Sequence, residues 1–123
     1  MVDIISLNCQ GLGNNVKRRD VFNYIRNFNA NIYCLQDTHF TQDKEIIIRS
    51  EWGYECLFSS FCSNSRGVCI LFNNNFGYKI NKVKRDVGGN YLNVDMLIDD
   101  KKFTLCNLYG PNTDSPQFLR NIF

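Results

Sequence analysis

Three polar side chains each close an apolar run in this 123-residue sequence. Asn8 follows Ile4-Ile5-Ser6-Leu7, Asp37 follows Ile32-Tyr33-Cys34-Leu35-Gln36, and Tyr109 follows Phe103-Thr104-Leu105-Cys106-Asn107-Leu108. Short runs rich in β-branched and aromatic residues read as strands, and open α/β sheets gather ligands beyond the carboxyl ends of their strands. An amide, a carboxylate and a phenol converging there would suit a hard cation such as Mg²⁺, which is held by one or two carboxylates with water and phosphate. A lone aspartate at a strand end is more often a turn residue or a helix cap, so each residue by itself is weak evidence. His39, the only histidine, stands two residues beyond Asp37 and invites a general-base reading.

The elements that must position these residues are short and frequent. Strands are predicted over residues 4–8, 31–36, 54–59, 67–72, 78–85, 91–98 and 103–109. Residues 16–28 carry Val21, Ile25 and Phe28 at helical spacing and read as an amphipathic helix. Thr41 is a plausible N-cap for a second helix that closes at Trp52-Gly53. A third helix is predicted to begin near Ser115-Pro116. The order β-α-β-α followed by a run of strands is that of an α/β protein with a mixed sheet. Asp95 then falls on a strand, and Asp99-Asp100 on a hairpin turn.

Composition narrows the class. With 44% hydrophobic, 21% charged and 14% aromatic residues and only 2 prolines, the chain is not intrinsically disordered or collagen-like. Its longest apolar run, Val68 to Phe72, is far below the roughly 20 residues of a membrane-spanning helix, so no membrane partner is expected. A net charge of +2 is compatible with a polyanionic partner without marking one. The basic clusters Lys17-Arg18-Arg19 and Lys82-Val83-Lys84-Arg85 read as solvated surface. Six cysteines occur without a CxxC pair, and with one histidine this argues against zinc. They read as reduced thiols of an intracellular protein.

Taken together, three blocks are more specific than any one residue. Ser6-Leu7-Asn8-Cys9-Gln10-Gly11-Leu12, Leu35-Gln36-Asp37-Thr38-His39 and Asn107-Leu108-Tyr109-Gly110-Pro111-Asn112 occur in this order, with Arg66-Gly67-Val68 and Lys84-Arg85-Asp86 between them. The chain resembles the endonuclease/exonuclease/phosphatase superfamily of DNase I-like fold, and within it the N-terminal endonuclease domain of non-LTR (LINE-type) retrotransposons. The resemblance spans essentially residues 1–123 and implies the N-terminal half of a four-layer α/β/β/α sandwich. It implies a DNA endonuclease that hydrolyses phosphodiesters with Mg²⁺ or Mn²⁺, with no other small-molecule cofactor and a nuclear location if functional. Asp37 matches the family's metal-binding carboxylate, and Asn8 the asparagine that helps hold the metal. Tyr109 matches the tyrosine supporting the scissile phosphate, and Asn112 the asparagine contacting the DNA backbone. His39 falls beside the carboxylate and is expected near the phosphate.

The sequence departs from the family pattern in two ways. Asp37 stands where glutamate is usual, which draws the carboxylate back by one methylene. The family's later Asp-x-Asn and Ser-Asp-His blocks have no counterpart in these 123 residues. The expectation is therefore a partial domain of nuclease descent that lacks the activating base. The alternatives are a non-catalytic remnant or nucleic-acid-binding scaffold, and an abasic-site repair endonuclease or other phosphodiesterase of the same fold. A half-domain would also leave its inner apolar face partly exposed, with Val68, Ile70, Phe72, Phe103 and Leu105 as candidates, and would be poorly soluble.

Overall fold

The computed structural model describes residues 2–110. Strand β1 (Ile4–Asn8) leads into helix α1 (Asn15–Arg26), and strand β2 (Ile32–Gln36) follows. A 3-10 turn (Gln42–Lys44) runs into helix α2 (Glu45–Trp52), which precedes strands β3 (Cys56–Ser59) and β4 (Val68–Phe72). Strands β5 (Lys79–Arg85), β6 (Tyr91–Ile98) and β7 (Lys101–Leu108) complete the described chain.

Local chemistry sets the helix ends. The Asn14 side chain accepts hydrogen bonds from the Val16 and Lys17 amides at 2.9 and 3.0 Å, satisfying two donors that α1 leaves open. The helix stops at Arg26, so Phe28 falls past its end and is exposed, and Phe22 and Ile25 face inward. The Thr41 side chain makes no capping bond, because a 3-10 turn rather than α-helix follows it. Gly53 adopts a left-handed φ of 92° and donates to the Arg49 carbonyl, which ends α2.

The strands form two sheets. One has the order β1-β2-β4-β3, with β1 and β2 parallel and the other pairs antiparallel. The second is the antiparallel meander β5-β6-β7. Asp99 and Asp100 both take left-handed φ (52° and 64°) in the two-residue β6–β7 turn, the backbone such a hairpin needs. Asp95, on β6, accepts from the Thr104 hydroxyl across the ladder at 2.8 Å.

The sheet of β1–β4 is covered on both faces. Phe22 and Ile25 of α1 and Ile48 and Trp52 of α2 pack with Tyr33, Leu35, Phe58 and Leu71 on one side. On the other, Ile32, Cys34, Val68, Ile70 and Phe72 meet Leu92, Val94, Met96 and Ile98 of β6. This accounts for the unbroken apolar runs of β2, β3 and β4 and for the alternation of β6. The layers are helix, sheet, sheet, three of the four in an α/β/β/α sandwich. The predicted third helix lies outside the described residues.

The expected exposure of the inner face is corrected for most of its members. Val68, Ile70 and Phe72 are at most 1% exposed because β6 closes over them. Only Phe103 (44%) and, in part, Leu105 remain open. They line an apolar hollow of about 310 Å³ with Val2, Ile4, Met96 and Ile98, between β1 and β7, the edge strands of the two sheets among the described residues.

Thiol chemistry reports this burial. Burial pushes Cys9, Cys34 and Cys56 up to about 12, and fully buried Cys69 well above its ordinary value. Cys62 is lowered by hydrogen bonds from the Ser65 side chain and the Asn64 backbone. Native-state alkylation at pH 8 followed by peptide mass mapping should label Cys62 and Cys106 quickly. Cys9, Cys34, Cys56 and Cys69 should react only in denaturant; rapid labelling of all six would contradict this packing.

Candidate functional site

Four loops and the end of β7 meet at one end of the sandwich, joined by main-chain hydrogen bonds. The parallel β1–β2 ladder runs on beyond both strands: Cys9 donates to the Gln36 carbonyl (2.8 Å), Gly11 to Asp37 (2.7 Å) and Leu12 to Thr38 (2.8 Å). The β2 loop then reaches the β3–β4 loop through Thr38 N–H to Gly67 O (3.0 Å) and His39 N–H to Arg66 O (2.8 Å). Gly67 donates to Gly89 in the β5–β6 turn at 2.9 Å, and Tyr109 donates to Asn90 of that turn at 2.7 Å. Asp86 fixes the turn by accepting from both the backbone and the side-chain amide of Asn90. The Ser59 hydroxyl in turn donates to the Asp86 carbonyl.

Side chains tie the same region to the core. Asn107 is 1% exposed, and its amide donates to the Leu35 carbonyl (3.0 Å) and the Cys69 carbonyl (2.9 Å) in the opposite sheet. Its oxygen accepts from Gln36 Nε2 at 2.8 Å, and Gln36 Nε2 also donates to the Ser6 hydroxyl at 2.9 Å. Tyr109, two residues on, shares the inward face of Asn107 and packs against the inter-sheet core. Two basic residues read from sequence as solvated surface are structural. Arg18, 2% exposed, donates to the Leu12 and Gly13 carbonyls and binds both carboxylate oxygens of Glu51 at 2.6 and 3.0 Å. Lys17 Nζ donates to the carbonyls of Cys9 and Gln10.

Within this frame the predicted residues take definite places. Asn8 is exposed at the end of β1, opposite Gln36 in the parallel register, and its Oδ1 accepts from the Gln10 amide at 3.3 Å. Asp37 follows Gln36 directly, half-buried, with a left-handed φ of 55°. Its Oδ1 accepts from His39 Nε2 at 2.8 Å and from the Arg66 amide at 3.2 Å. None of the described residues donates to Oδ2. His39 is thus bonded to Asp37 and pressed against Gly11, where an added Cβ would lie 2.7 Å from Nδ1. Asn112 lies outside the described residues. The ladder therefore brings Asn8 and Asp37 together, and Asn107 and Asn90 bring Tyr109 to the same end.

Sequence reasoning missed Asn107, Gln36 and Arg66 as working residues. Asn107 carried a signal, since an amide inside an apolar strand must find buried partners. Arg66 carried none beyond its motif; its guanidinium stacks 4.7 Å over Phe61 and holds a cation beside this loop cluster.

The structure matches a crystal structure of an AP endonuclease from Leishmania major with a TM-score of 0.70 and 16% identity, over 98% of this chain and 43% of that one. The endonuclease domain of TRAS1, a telomere-specific non-LTR retrotransposon, matches with a TM-score of 0.66 and 12% identity, over 98% of this chain and 52% of that one. This chain has a DNase I-like fold. A 3′ phosphatase from Neisseria bound to a product DNA hairpin matches over 99% of this chain and 48% of that one, with a TM-score of 0.64 and 21% identity. In sequence, a transposon TX1 protein of 149 kDa from Xenopus laevis is 26% identical over 112 residues, covering 91% of this chain and 9% of that protein. The chain thus spans about half the length, or less, of the proteins it matches. No protein-family model matches it. The resemblance read from the Asn8, Asp37 and Tyr109 blocks agrees with these neighbours in fold and with the transposon protein in sequence.

Two outcomes follow from the frame. Asn107→Leu would remove the donor to the buried Leu35 and Cys69 carbonyls, and a group left unpaired in the interior costs about 1–3 kcal/mol. Urea unfolding should show a destabilisation of at least about 2 kcal/mol; a change under about 0.5 kcal/mol would show that the bridge between sheets is not needed. Glu51 is held below the usual 4.5 chiefly by its hydrogen bonds from Arg18. A lowered carboxyl stabilises the fold above its unfolded-state value and loses that contribution as pH falls through the folded-state value. Glu51→Gln should therefore flatten the acid limb of the stability–pH curve below about pH 4.5, measured by thermal melts; an unaltered acid limb would contradict the assignment.

Proposed function

We propose that the chain forms the metal- and phosphate-binding part of a DNA phosphodiesterase site of retrotransposon origin. The observation that carries this reading is the stitched loop cluster, which places a half-buried carboxylate, an exposed amide and a tyrosine at one end of a DNase I-like sandwich. The donor set fits a single hard cation. Among the described residues none donates to the second Asp37 oxygen, and the Asn8 oxygen accepts only a long bond from the Gln10 amide. Mg²⁺ commonly takes one or two carboxylates and fills its remaining positions with water and phosphate. Among the described residues no group of three His, Cys, Asp or Glu side chains surrounds a common point.

Asp37 Oδ2 and Asn8 would hold Mg²⁺ or Mn²⁺, which when bound neutralises charge on a phosphodiester oxygen. The Tyr109 hydroxyl would donate to a non-bridging phosphate oxygen and fix its orientation. Asn112 would add a neutral contact to the DNA backbone. Arg66, stacked on Phe61, supplies the positive charge that a phosphate would meet beside Asp37.

Water activation is the part that these residues do not supply. The imidazole of His39 spends Nε2–H on Asp37 and packs its other nitrogen against Gly11. Asp95, Asp99 and Asp100 sit on β6 and on the turn to β7. On this reading the described residues bind metal and DNA phosphate and do not themselves activate the attacking water. The transposon TX1 likeness supports the retrotransposon origin, while the AP endonuclease and 3′ phosphatase likenesses keep repair-type substrates as the second reading.

Titration with Mn²⁺ followed by electron paramagnetic resonance should show binding that Asp37→Ala weakens by about 10-fold or more; equal binding by wild type and variant would overturn the metal role. A supercoiled-plasmid assay in Mg²⁺ should show no nicking by the chain. Nicking that Asp37→Ala abolishes would retain the metal role and overturn the incomplete-site reading.

A further inference from the structure

Two motifs far apart in sequence meet at one carboxylate oxygen, and a third stands against the imidazole bonded to it. Asp37 Oδ1 is bonded by the imidazole of His39 and by the backbone amide of Arg66, at 2.8 and 3.2 Å. A carboxylate only accepts, so in this bond Nε2 carries the proton. Gly11 closes one side of the ring. Gly11, at φ 91°, lies so close that any Cβ there would come 2.7 Å from Nδ1 and 3.1 Å from Cε1. Gly67, at φ 93°, stands against Thr38 in the same way, with a Cβ position 2.6 Å from the Thr38 hydroxyl oxygen. Asp37 and His39 both hold left-handed backbone, with φ of 55° and 61°, and main-chain bonds to Gly11, Arg66 and Gly67 keep them there.

We infer that His39 is a positioning residue that locks the Asp37 carboxylate so that Oδ2 alone faces the cation. The inference rests on the metal reading of Asp37 given above. Aspartate is one methylene shorter than glutamate and its carboxylate rotates about a single further torsion. Two donors on Oδ1 remove that rotation, so binding the cation costs less ordering of the ligand. His39 acts through Asp37 and touches neither the cation nor the phosphate. Hydrogen-bond partners of metal ligands characteristically change affinity about 10- to 100-fold when removed.

Gly11 belongs to the same device. Its two neighbours in the ladder, Cys9 and Leu12, are buried, so the loop cannot retreat to accommodate a side chain at residue 11. The motif glycine after Asn8 thus clears the space in which the imidazole sits.

Two variants of one position test this with a readout other than catalysis. Asn suits the left-handed φ at position 39 as well as His does, but its amide ends where Nδ1 stands and cannot reach Asp37. Gln extends its amide nitrogen as far as Nε2. Mn²⁺ affinities of the 123-residue wild type, His39→Asn and His39→Gln would be measured by electron paramagnetic resonance, with circular dichroism to verify folding. His39→Asn should bind about 10- to 100-fold more weakly, and His39→Gln should recover most of the loss. Equal affinity of His39→Asn and wild type, tighter binding by His39→Asn, or no advantage of Gln over Asn would each overturn the positioning role. Absence of Mn²⁺ binding by the wild type itself would instead overturn the metal reading, and the role of His39 with it.

Discussion

The buried amide of Asn107 governs how the two sheets meet. A β-sandwich has no main-chain bonds between its sheets, and apolar faces alone would let them slide and rotate over one another. Asn107 prevents this by donating to carbonyls of two different strands, Leu35 on β2 and Cys69 on β4, while accepting from Gln36. The Asn107 amide and both carbonyls are within the interior, where an unmade hydrogen bond is costly. Any displacement of β7 would break several at once. The position of Tyr109 relative to Asp37 is inherited from this lock, since Tyr109 lies two residues beyond Asn107 and Asp37 two beyond Leu35.

Past the strand ends the same function passes to the backbone. The loops carrying Gln10, Asp37, His39 and Arg66 all contain left-handed residues, which non-glycine side chains adopt at some cost. Such conformations persist where the surroundings over-determine them. Here the determinants are the bonds running from Gly11 and Leu12 to Asp37 and Thr38, from Thr38 and His39 to Gly67 and Arg66, and from Gly67 to Gly89. Arg18 and Lys17 brace the first loop from behind through its carbonyls. The site is therefore rigid in its backbone while its polar side chains remain partly open, which is the arrangement that binding a charged ligand needs.

Much of the fold was legible in the residues. The seven strands and two helices lie close to their predicted positions, because β2, β4 and β6 are dense in β-branched and aromatic residues and Asn14 and Gly53 bracket the helices. The errors have physical causes. Phe28 fitted the helical stripe, but three asparagines beyond Arg26 favour a turn over another helical turn. Arg18 looked like solvated charge; partners as remote as Glu51 cannot be seen in a local pattern. Val68, Ile70 and Phe72 were expected to be partly exposed, and β6 covers them, since the meander β5-β6-β7 supplies the opposing sheet within the same 109 described residues.

What the sequence determined by itself was chemical type and order: a carboxylate, an amide and a phenol, each at the end of an apolar strand, in blocks that resemble one family. Residue types and strand periodicity are local, and local signals survive in one dimension. Which of these groups meet, and what each one faces, was decided only by tertiary structure. The imidazole of His39 turned to Asp37 instead of to open solvent, because Gly11 leaves it a slot and Arg66 fills the other side of the same oxygen. Contacts between residues 11, 37, 39 and 66 depend on sheet register and loop closure. No spacing in the chain encodes them directly; they follow from the burial of Asn107 and the ladder that holds the loops together.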